Sequence, residues 1–421
     1  MNPSFQIGVI GAGAAGMMAA AEAARLGVSV VLLEKNSKTG VKILMSGGTR
    51  CNVTHDTNAK GIARAFGDGG RFLQPSLGAF PPEKVVQMFS DLGVPTKVEK
   101  TGKIFPVSDR ALHVRDALLR QATQLGVTVV TGKPVEEILR STSDLWEIRT
   151  PQESYLVNRL IVTTGGKSWP GCGTTGDAYP WLSKFGHAIV RPRPALVPLI
   201  GGASWMNSLS GVTLEDCQVT VFSISDQKKQ MLSQRRGSLL LTHQGFSGPA
   251  AMDVSGALTA CKDPSEYQVL LDCVPDLTET QLNNVLTDRT NEGGKQRVSS
   301  LLTRWVPKRM AHSIANEMRA ECTVAELPKA TRNRILEALK RLPLEVSGTS
   351  GFAKAEVTAG GVRLEEVNPK TMESRLCESL YIAGEVLDVD GPIGGYNFQA
   401  AFSTGRAAGI AAAKSLAGRS G

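Results

Sequence analysis

The sequence predicts an α/β protein in which one domain is assembled from both chain ends and is interrupted by an inserted antiparallel β domain carrying helices. Three observations predict it. A strand-like run, a glycine-rich turn and an alanine-rich helix open the chain; a second strand, glycine turn and helix close it; and near residue 191 the pattern between them changes to alternating strand-like runs and then to helical spacing. With 421 residues and 42% hydrophobic composition, the chain is long enough for two or three domains of roughly 150 residues.

Phe5 to Ile10 reads as a short buried strand, Ala14 to Leu26 as a helix, and Val28 to Leu33 as a second strand ending at Glu34. Between the first two lies Gly11-Ala12-Gly13-Ala14-Ala15-Gly16. In this Rossmann-like arrangement Gly11, Gly13, Ala14 and Gly16 are candidate pyrophosphate contacts. Gly11 permits the tight turn, Gly13 lets phosphate approach the backbone, and Gly16 allows close helix–strand packing at a helix N-terminus that favours an anion. Glu34 is the candidate acceptor for the adenosine ribose. The turn alone leaves FAD and NAD open, and a merely tight βα turn is the bland alternative.

Further strand patterns lie within Gly126 to Glu137 and from Leu156 to Thr164, the latter running into Gly165-Gly166, where Gly165 is another candidate cofactor contact. At Arg191-Pro192-Arg193-Pro194 the character changes. The runs Cys217 to Ile224, Ser238 to Thr242 and Tyr267 to Val274 read as an inserted antiparallel β domain of barrel-like form, and Leu277 to Lys340 as helical. The expected division is residues 1–190 with 350–421, a β-barrel insert of 191–276 with 342–349, and a helical subdomain of 277–341. Near the end, Leu380 to Ala383 reads as a strand leading to Gly384-Glu385, then Asp388, Asp390 and the turn Gly391 to Gly395, which opens a helix from Tyr396 to Leu416. Glu385 or Asp388 is placed to bind ribityl hydroxyls, and the helix start to meet an anion or carbonyl. Two ligand-type turns at opposite chain ends suit an extended cofactor such as FAD.

The glycine-studded apolar stretch Ile7 to Ala21 is shorter than the ~20 clean apolar residues a span needs, and no basic region precedes it, so neither a membrane segment nor a secretory signal is expected. Seven scattered cysteines without a C-x-x-C pair fit a reducing, cytoplasmic setting and argue against dithiol exchange. No His/Cys/Asp cluster has metal-ligand spacing, so no metal is expected. Cys51, in a Gly-Gly-Thr-Arg-Cys-Asn loop, is either a thiol near the cofactor or a small packing residue. His243, in a glycine-rich turn after an apolar strand, is the candidate proton donor. The net charge is +8, and residues 290–341 hold eleven Lys/Arg against five acids, an excess of +6. These helices present either ordinary solvated faces or a basic face for the phosphates of a structured RNA.

Gly11 to Gly16, Ser46-Gly-Gly-Thr-Arg50-Cys51-Asn52-Val-Thr54, Thr242-His243-Gln-Gly245-Phe-Ser247-Gly248-Pro249 and Ala383 through Asn397 together resemble the BaiN-like family of NAD(P)/FAD-dependent oxidoreductases, over nearly the whole chain. The resemblance implies a glutathione-reductase-like FAD domain with a β-barrel insert. It implies that Gly11, Gly13, Gly16 and Glu34 hold the ADP half, and that Glu385 and Asp388 approach the ribityl and pyrophosphate. Arg50 and Asn52 would lie near the cofactor, Gly395, Tyr396, Asn397 and Phe398 near the pyrimidine end of the flavin, and Val135, in a strand-like context, against adenine through its backbone. Cys172 is given no redox role.

The expected activity is flavin-dependent reduction of an activated carbon–carbon double bond, with NAD(P)H as a transient electron donor because no third glycine fingerprint marks a nicotinamide domain. The resemblance implies three substrate classes: steroid-like small molecules, small amines oxidised with oxygen, and uridine in ribosomal RNA. The basic helical stretch favours RNA. A non-catalytic, FAD-stabilised protein that docks on RNA or ribosomes is the alternative of another class.

Overall fold

The computed structural model describes residues 4–141, 145–225, 228–261, 263–288 and 294–417. The chain forms two compact units, one of Met1–Arg193 with Glu356–Gly421 and one of Pro194–Ala355.

The first unit is built on a mixed sheet. Its parallel part runs Thr128–Val130, Val30–Leu33, Ser4–Ile10, Ser154–Val162 and Leu380–Ile382. The antiparallel strands Trp146–Arg149 and Glu137–Arg140 extend it beyond the first half of Ser154–Val162. Val30–Leu33 is buried along its whole length, as expected of a strand covered on both faces. Helix Ala14–Ala24 and the 22-residue helix Tyr396–Ala417 cover the sheet. These two helices pack closely because Gly405 and Gly409 replace side chains at the crossing: a Cβ on either would lie 2.3 Å from the Ala15 carbonyl oxygen and 2.2 Å from that of Ala19, respectively. A small sheet of Thr54–His55, Lys103–Pro106 and Thr96–Val98 flanks the start of the C-terminal helix.

The second unit is a seven-stranded antiparallel sheet in the order Leu342–Leu344, Tyr267–Asp272, Thr213–Ser225, Lys228–Thr242, Gly245–Ser247, Leu199–Gly201, Val346–Thr349. The expected barrel is corrected here. The two edge strands are consecutive in the chain, joined through Glu345, so the sheet curls; among the described residues no backbone ladder pairs them, and the sheet stays open. A bend between strands turns such a corner without closing the hydrogen bonding. Helix Pro249–Ala260 packs on the long hairpin, and helices Glu279–Thr287, Val298–Leu302, Lys308–Glu317 and Lys329–Lys340 bury Leu282, Leu302, Ile314, Ile335 and Leu339 in one core with the sheet residues Val219 and Leu271.

Candidate functional site

The three glycines of the N-terminal turn have different surroundings. Gly11 has φ +98°, and a Cβ there would meet the Thr163 carbonyl oxygen at 2.6 Å; a Cβ on Gly16 would sit 1.8 Å from the Gly11 carbonyl oxygen. Both are glycine because the protein is in the way. Gly13, which caps helix Ala14–Ala24, has no protein atom within 4 Å of that position. This open space in front of a helix N-terminus with no side-chain cap is a cradle that a pyrophosphate fits, since the first-turn N–H groups have no intrahelical acceptors.

Glu34 is buried at the end of its strand and accepts the Ala12 N–H at Oε2 (3.0 Å) and the Asn36 N–H at Oε1 (2.9 Å). Burial pushes its carboxyl up, while the Asn36 and Ala12 bonds and Lys35 pull it back. The sequence-predicted acid thus lies beside the turn, anchored by it. Val135 is two residues beyond Lys133, whose N–H donates to the Glu34 carbonyl. It precedes the strand Glu137–Arg140 instead of lying within it, a correction that follows from Pro134, which offers no N–H to a ladder. Gly165 has φ +74° and leaves only 2.7 Å between a Cβ and the Thr174 methyl.

A second cluster gathers around Glu385. Lys42 Nζ donates to Glu385 Oε2 and to Ser168 Oγ, both at 2.5 Å; the Ser168 hydroxyl donates to Glu385 Oε1 (2.7 Å), which also accepts the Thr358 N–H (2.9 Å). Thr358 Oγ1 in turn accepts the N–H groups of Lys167 (2.8 Å) and Ser168 (3.0 Å). Three segments distant in sequence therefore fix one carboxylate. Gly384, with φ +79°, brings this turn against the N-terminal helix, since a Cβ would lie 2.8 Å from that of Ala15. Glu385 and the phosphate cradle are thus neighbours. Burial also pushes up the carboxyls of Glu356, opposed by Lys42, and of Asp388, opposed by the Gly360 N–H and Arg193.

The third part is the start of the C-terminal helix. Gly394 and Gly395 have φ +136° and +90°. A Cβ on Gly395 would strike the Thr54 carbonyl at 2.4 Å and lie 2.7 Å from Asn52 Oδ1, which itself accepts the Ile104 N–H (3.2 Å). The Asn397 side chain accepts the Gly391 N–H and donates to the Gly391 carbonyl, both at 2.8 Å, so it clamps the turn. Phe398 stacks on Phe402 with centroids 6.0 Å apart. Tyr396 stacks on His55 at 4.7 Å, and the His55 Nδ1–H donates to the Gly394 carbonyl (3.0 Å). Asn52 is thereby brought to this helix start, next to Gly395. The loop before it is conformationally unusual, with positive φ at Gly47, Gly48, Thr49 and Cys51, as at sites where position outweighs local comfort. Arg50 lies over the Phe105 ring at 4.0 Å and pairs with Glu99 (2.6 Å) and Asp109 (3.5 Å).

Cys51 is fully buried, and burial pushes its thiol up to about 12. A packing role fits this environment and a reactive thiolate does not. His243 is exposed in the turn between Lys228–Thr242 and Gly245–Ser247 of the second unit; the other candidate residues all lie in the first. Lys42, Ser168, Thr358 and His55 escaped sequence reasoning. Only the Thr-Thr-Gly-Gly run before Ser168 carried a local signal; the remaining contacts are long-range. Among the described residues, no group of three or more His, Cys, Asp or Glu is placed to hold a metal ion, and no helix is long and apolar enough to cross a membrane.

Residues 5–411 match the family described as HI0933-like protein Rossmann domain. The chain is 31% identical to the 3-dehydro-bile acid delta(4,6)-reductase of Clostridium scindens, over 97% of this chain and 99% of that protein. It is 30% identical to the ribosomal RNA dihydrouridine synthase of Haemophilus influenzae (94% and 95% covered) and 31% identical to that of Escherichia coli (95% and 96%). Among solved structures, the fold is shared with the Rhodococcus jostii 3-ketosteroid-delta4-(5alpha)-dehydrogenase complex with 4-androstene-3,17-dione, at TM-score 0.50, 15% identity and 97% of each chain. It is shared also with an open flavocytochrome c3 fumarate reductase, at TM-score 0.50, 16% identity, 98% of this chain and 78% of that one. The chain belongs to the HI0933-like Rossmann-domain family and is an FAD-dependent oxidoreductase.

Proposed function

We propose that the chain reduces an activated carbon–carbon double bond with electrons from NAD(P)H, and that its substrate is a uracil ring in structured ribosomal RNA. The observation that carries the RNA reading is the charge of the helical part of the second unit. Lys308, Arg309, Arg319, Lys329 and Arg334 are exposed there and form no ion pair among the described residues. Lys340 and Arg341 do not add to this surface charge, since Asp272, Glu279 and Glu337 neutralise them. Arg309 and Arg334 donate to backbone carbonyls, which leaves their charge uncompensated. A phosphate backbone takes such cations, whereas an uncharged steroid ring has no use for them. Two relatives at 30–31% identity are named for rRNA dihydrouridine synthesis, and the seven free thiols accord with work in the cytoplasm.

Bound FAD supplies the hydride chemistry. The chain's residues supply position. Gly11, Gly13, Ala14 and Gly16 admit the pyrophosphate to the helix N-terminus, and Glu34 faces the ribose, with the Val135 backbone at the adenine and Gly165 beside the dinucleotide. Lys42 and Ser168 hold Glu385 oriented for the ribityl hydroxyls, with Asp388 nearby. The first-turn N–H groups after Gly395, at Tyr396, Asn397 and Phe398, face the pyrimidine carbonyls, while Arg50 and Asn52 stabilise the adjoining loop.

The experiment is mass spectrometry of rRNA from a strain lacking the gene. Loss of one dihydrouridine, restored by the gene, is expected; an unchanged signal sinks the RNA reading. The 31% identity to a bile acid reductase supports a second reading, in which reduced enzyme is reoxidised by a 4,6-dien-3-one steroid and not by RNA. Peroxide release with amines would indicate an oxidase, and RNA binding without NAD(P)H oxidation a non-catalytic scaffold. His243 is a proposed proton donor on the second unit.

A further inference from the structure

Lys42, Ser168 and Glu385 come from three parts of the chain, and each part touches the N-terminal glycine turn. The Gly40 N–H, two residues before Lys42, donates to the Ala12 carbonyl (2.8 Å). The Thr163 hydroxyl, directly after the strand Ser154–Val162 that leads toward Ser168, donates to the Gly11 carbonyl (2.9 Å). Gly384, next to Glu385, lies so near Ala15 that a Cβ on it would sit 2.8 Å from the Ala15 Cβ. The ion pair of Lys42 with Glu385 therefore rests on the same turn that holds the open space at Gly13.

Within this cluster the Glu385 oxygens act only as acceptors, from the Lys42 ammonium (2.5 Å), the Ser168 hydroxyl (2.7 Å) and the Thr358 N–H (2.9 Å). The Lys42 and Glu385 side chains are 27% and 20% exposed, so water screens the pair only in part. Glu356, two residues before Thr358, feels the charges of both. One ammonium thus stands against two carboxylates at the place where the cofactor reading brings in a diphosphate, itself an anion. Like charges gathered in a partly dry site repel, and a carboxylate that loses its partner there costs far more than the pair was worth.

We infer that Lys42 is a positioning residue for FAD: its ammonium neutralises Glu385, so that the carboxylate wanted by the ribityl chain can stand beside the diphosphate. This rests on the reading that places the FAD diphosphate at the Gly13 turn. Lys42 acts through Glu385 and is not itself a phosphate ligand. The two roles differ in sign. A lysine that grips phosphate is not replaced by deleting a neighbouring acid, whereas a lysine that shields the acid becomes dispensable once the acid is gone.

The test is calorimetric titration of the full-length apoprotein with FAD and with ADP, which carries the diphosphate but no ribityl chain. Lys42→Met should weaken both ligands by roughly 10- to 100-fold. Glu385→Gln should split them, binding ADP roughly three- to tenfold more tightly than wild type and FAD more weakly. The double variant Lys42→Met/Glu385→Gln should bring ADP back to within about threefold of wild type. Urea midpoints of the apoproteins are measured alongside, and if Lys42→Met does not fold, Glu385→Gln with ADP decides by itself. A double variant no better than Lys42→Met, or ADP affinity unchanged or weakened in Glu385→Gln, would overturn the assignment while leaving the cofactor placement intact. Wild-type protein that binds neither ADP nor FAD would instead remove the placement, and the assignment with it.

Discussion

Gly409 lies so close to Ala19 that a Cβ on it would sit 2.2 Å from the Ala19 carbonyl oxygen. The C-terminal helix therefore rests on the N-terminal one with backbone touching backbone. Gly409→Ala gains helix propensity, about 1 kcal/mol, but forces the helices apart, at about 1–3 kcal/mol of overpacking. The expected net result is a lower urea midpoint and weaker FAD retention. A midpoint at or above that of the wild type would show that the helices separate without penalty.

The N-terminal turn separates folding from binding. Gly16→Ala places a methyl 1.8 Å from the Gly11 carbonyl oxygen, whereas Gly13→Ala meets no protein atom within 4 Å. The first is expected to lower apoprotein stability by roughly 1–3 kcal/mol or more. The second should leave the apoprotein within about 0.5 kcal/mol of wild type while weakening FAD on the order of tenfold or more, about 1.4 kcal/mol. Urea melts of the apoproteins and fluorescence titrations with FAD read the two effects separately. Equal damage in both would remove Gly13 from the cofactor contact.

His187 carries an acid-sensitive contribution to stability. It is buried, with Nδ1 bonded to Glu366 (3.1 Å) and Nε2 accepting from the Ser374 hydroxyl (2.8 Å), which itself accepts the Leu376 and Cys377 N–H groups. Burial lowers the imidazole pKa, against the opposing pull of Glu366. The unfolded chain takes up a proton near pH 6.5 and the folded chain only below that. Stability is therefore full above about pH 6.5 and is lost as pH falls from there through the lowered folded value. Urea midpoints between pH 7.5 and 5 should fall in the wild type and fall less steeply in His187→Gln, which starts from a lower plateau. Parallel slopes would assign the acid sensitivity to other groups.

Thiol chemistry follows burial. Cys51, Cys217 and Cys273 are buried with their thiols pushed up, the first two to about 12, whereas Cys172, Cys261, Cys322 and Cys377 are only partly covered. At pH 8 a thiol reagent should label the second group in the native protein and reach the first only on unfolding. Cys51→Ala should retain flavin reduction by NAD(P)H. Rapid labelling of Cys51, read by peptide mass mapping, would reopen its redox role.

The parts of this molecule that were legible from sequence are those whose signal is local. The opening strand, helix and strand, the closing strand and helix, and the long strands of the second unit all carry their own periodicity. Helix Gly69–Ala79 does not, because it begins with two glycines and contains Pro75, and helix Pro249–Ala260 begins with Gly248-Pro249, which also reads as a turn. The site divides in the same way. Gly13 and Glu34 lie within one βαβ unit, but Lys42 reaches Glu385 across 343 residues, and no spacing rule connects them. The barrel expectation failed for a related reason, since alternation reports that a strand has two faces and says nothing about whether the last strand pairs with the first.

The two-part composition of the first unit also orders events on the ribosome. Residues 194–355 form a unit contiguous in sequence, so all of its partners have been synthesised before translation reaches residue 356. The cofactor unit cannot be completed then: its strand Leu380–Ile382, the Glu385 turn and the helix that covers Ala15 and Ala19 are translated after the second unit. A nascent chain halted after residue 355 holds the glycine turn but lacks the carboxylate and the helix start placed around it. Flavin loading is thus expected to follow synthesis of the whole second unit, with the N-terminal segment waiting for residues 356–421.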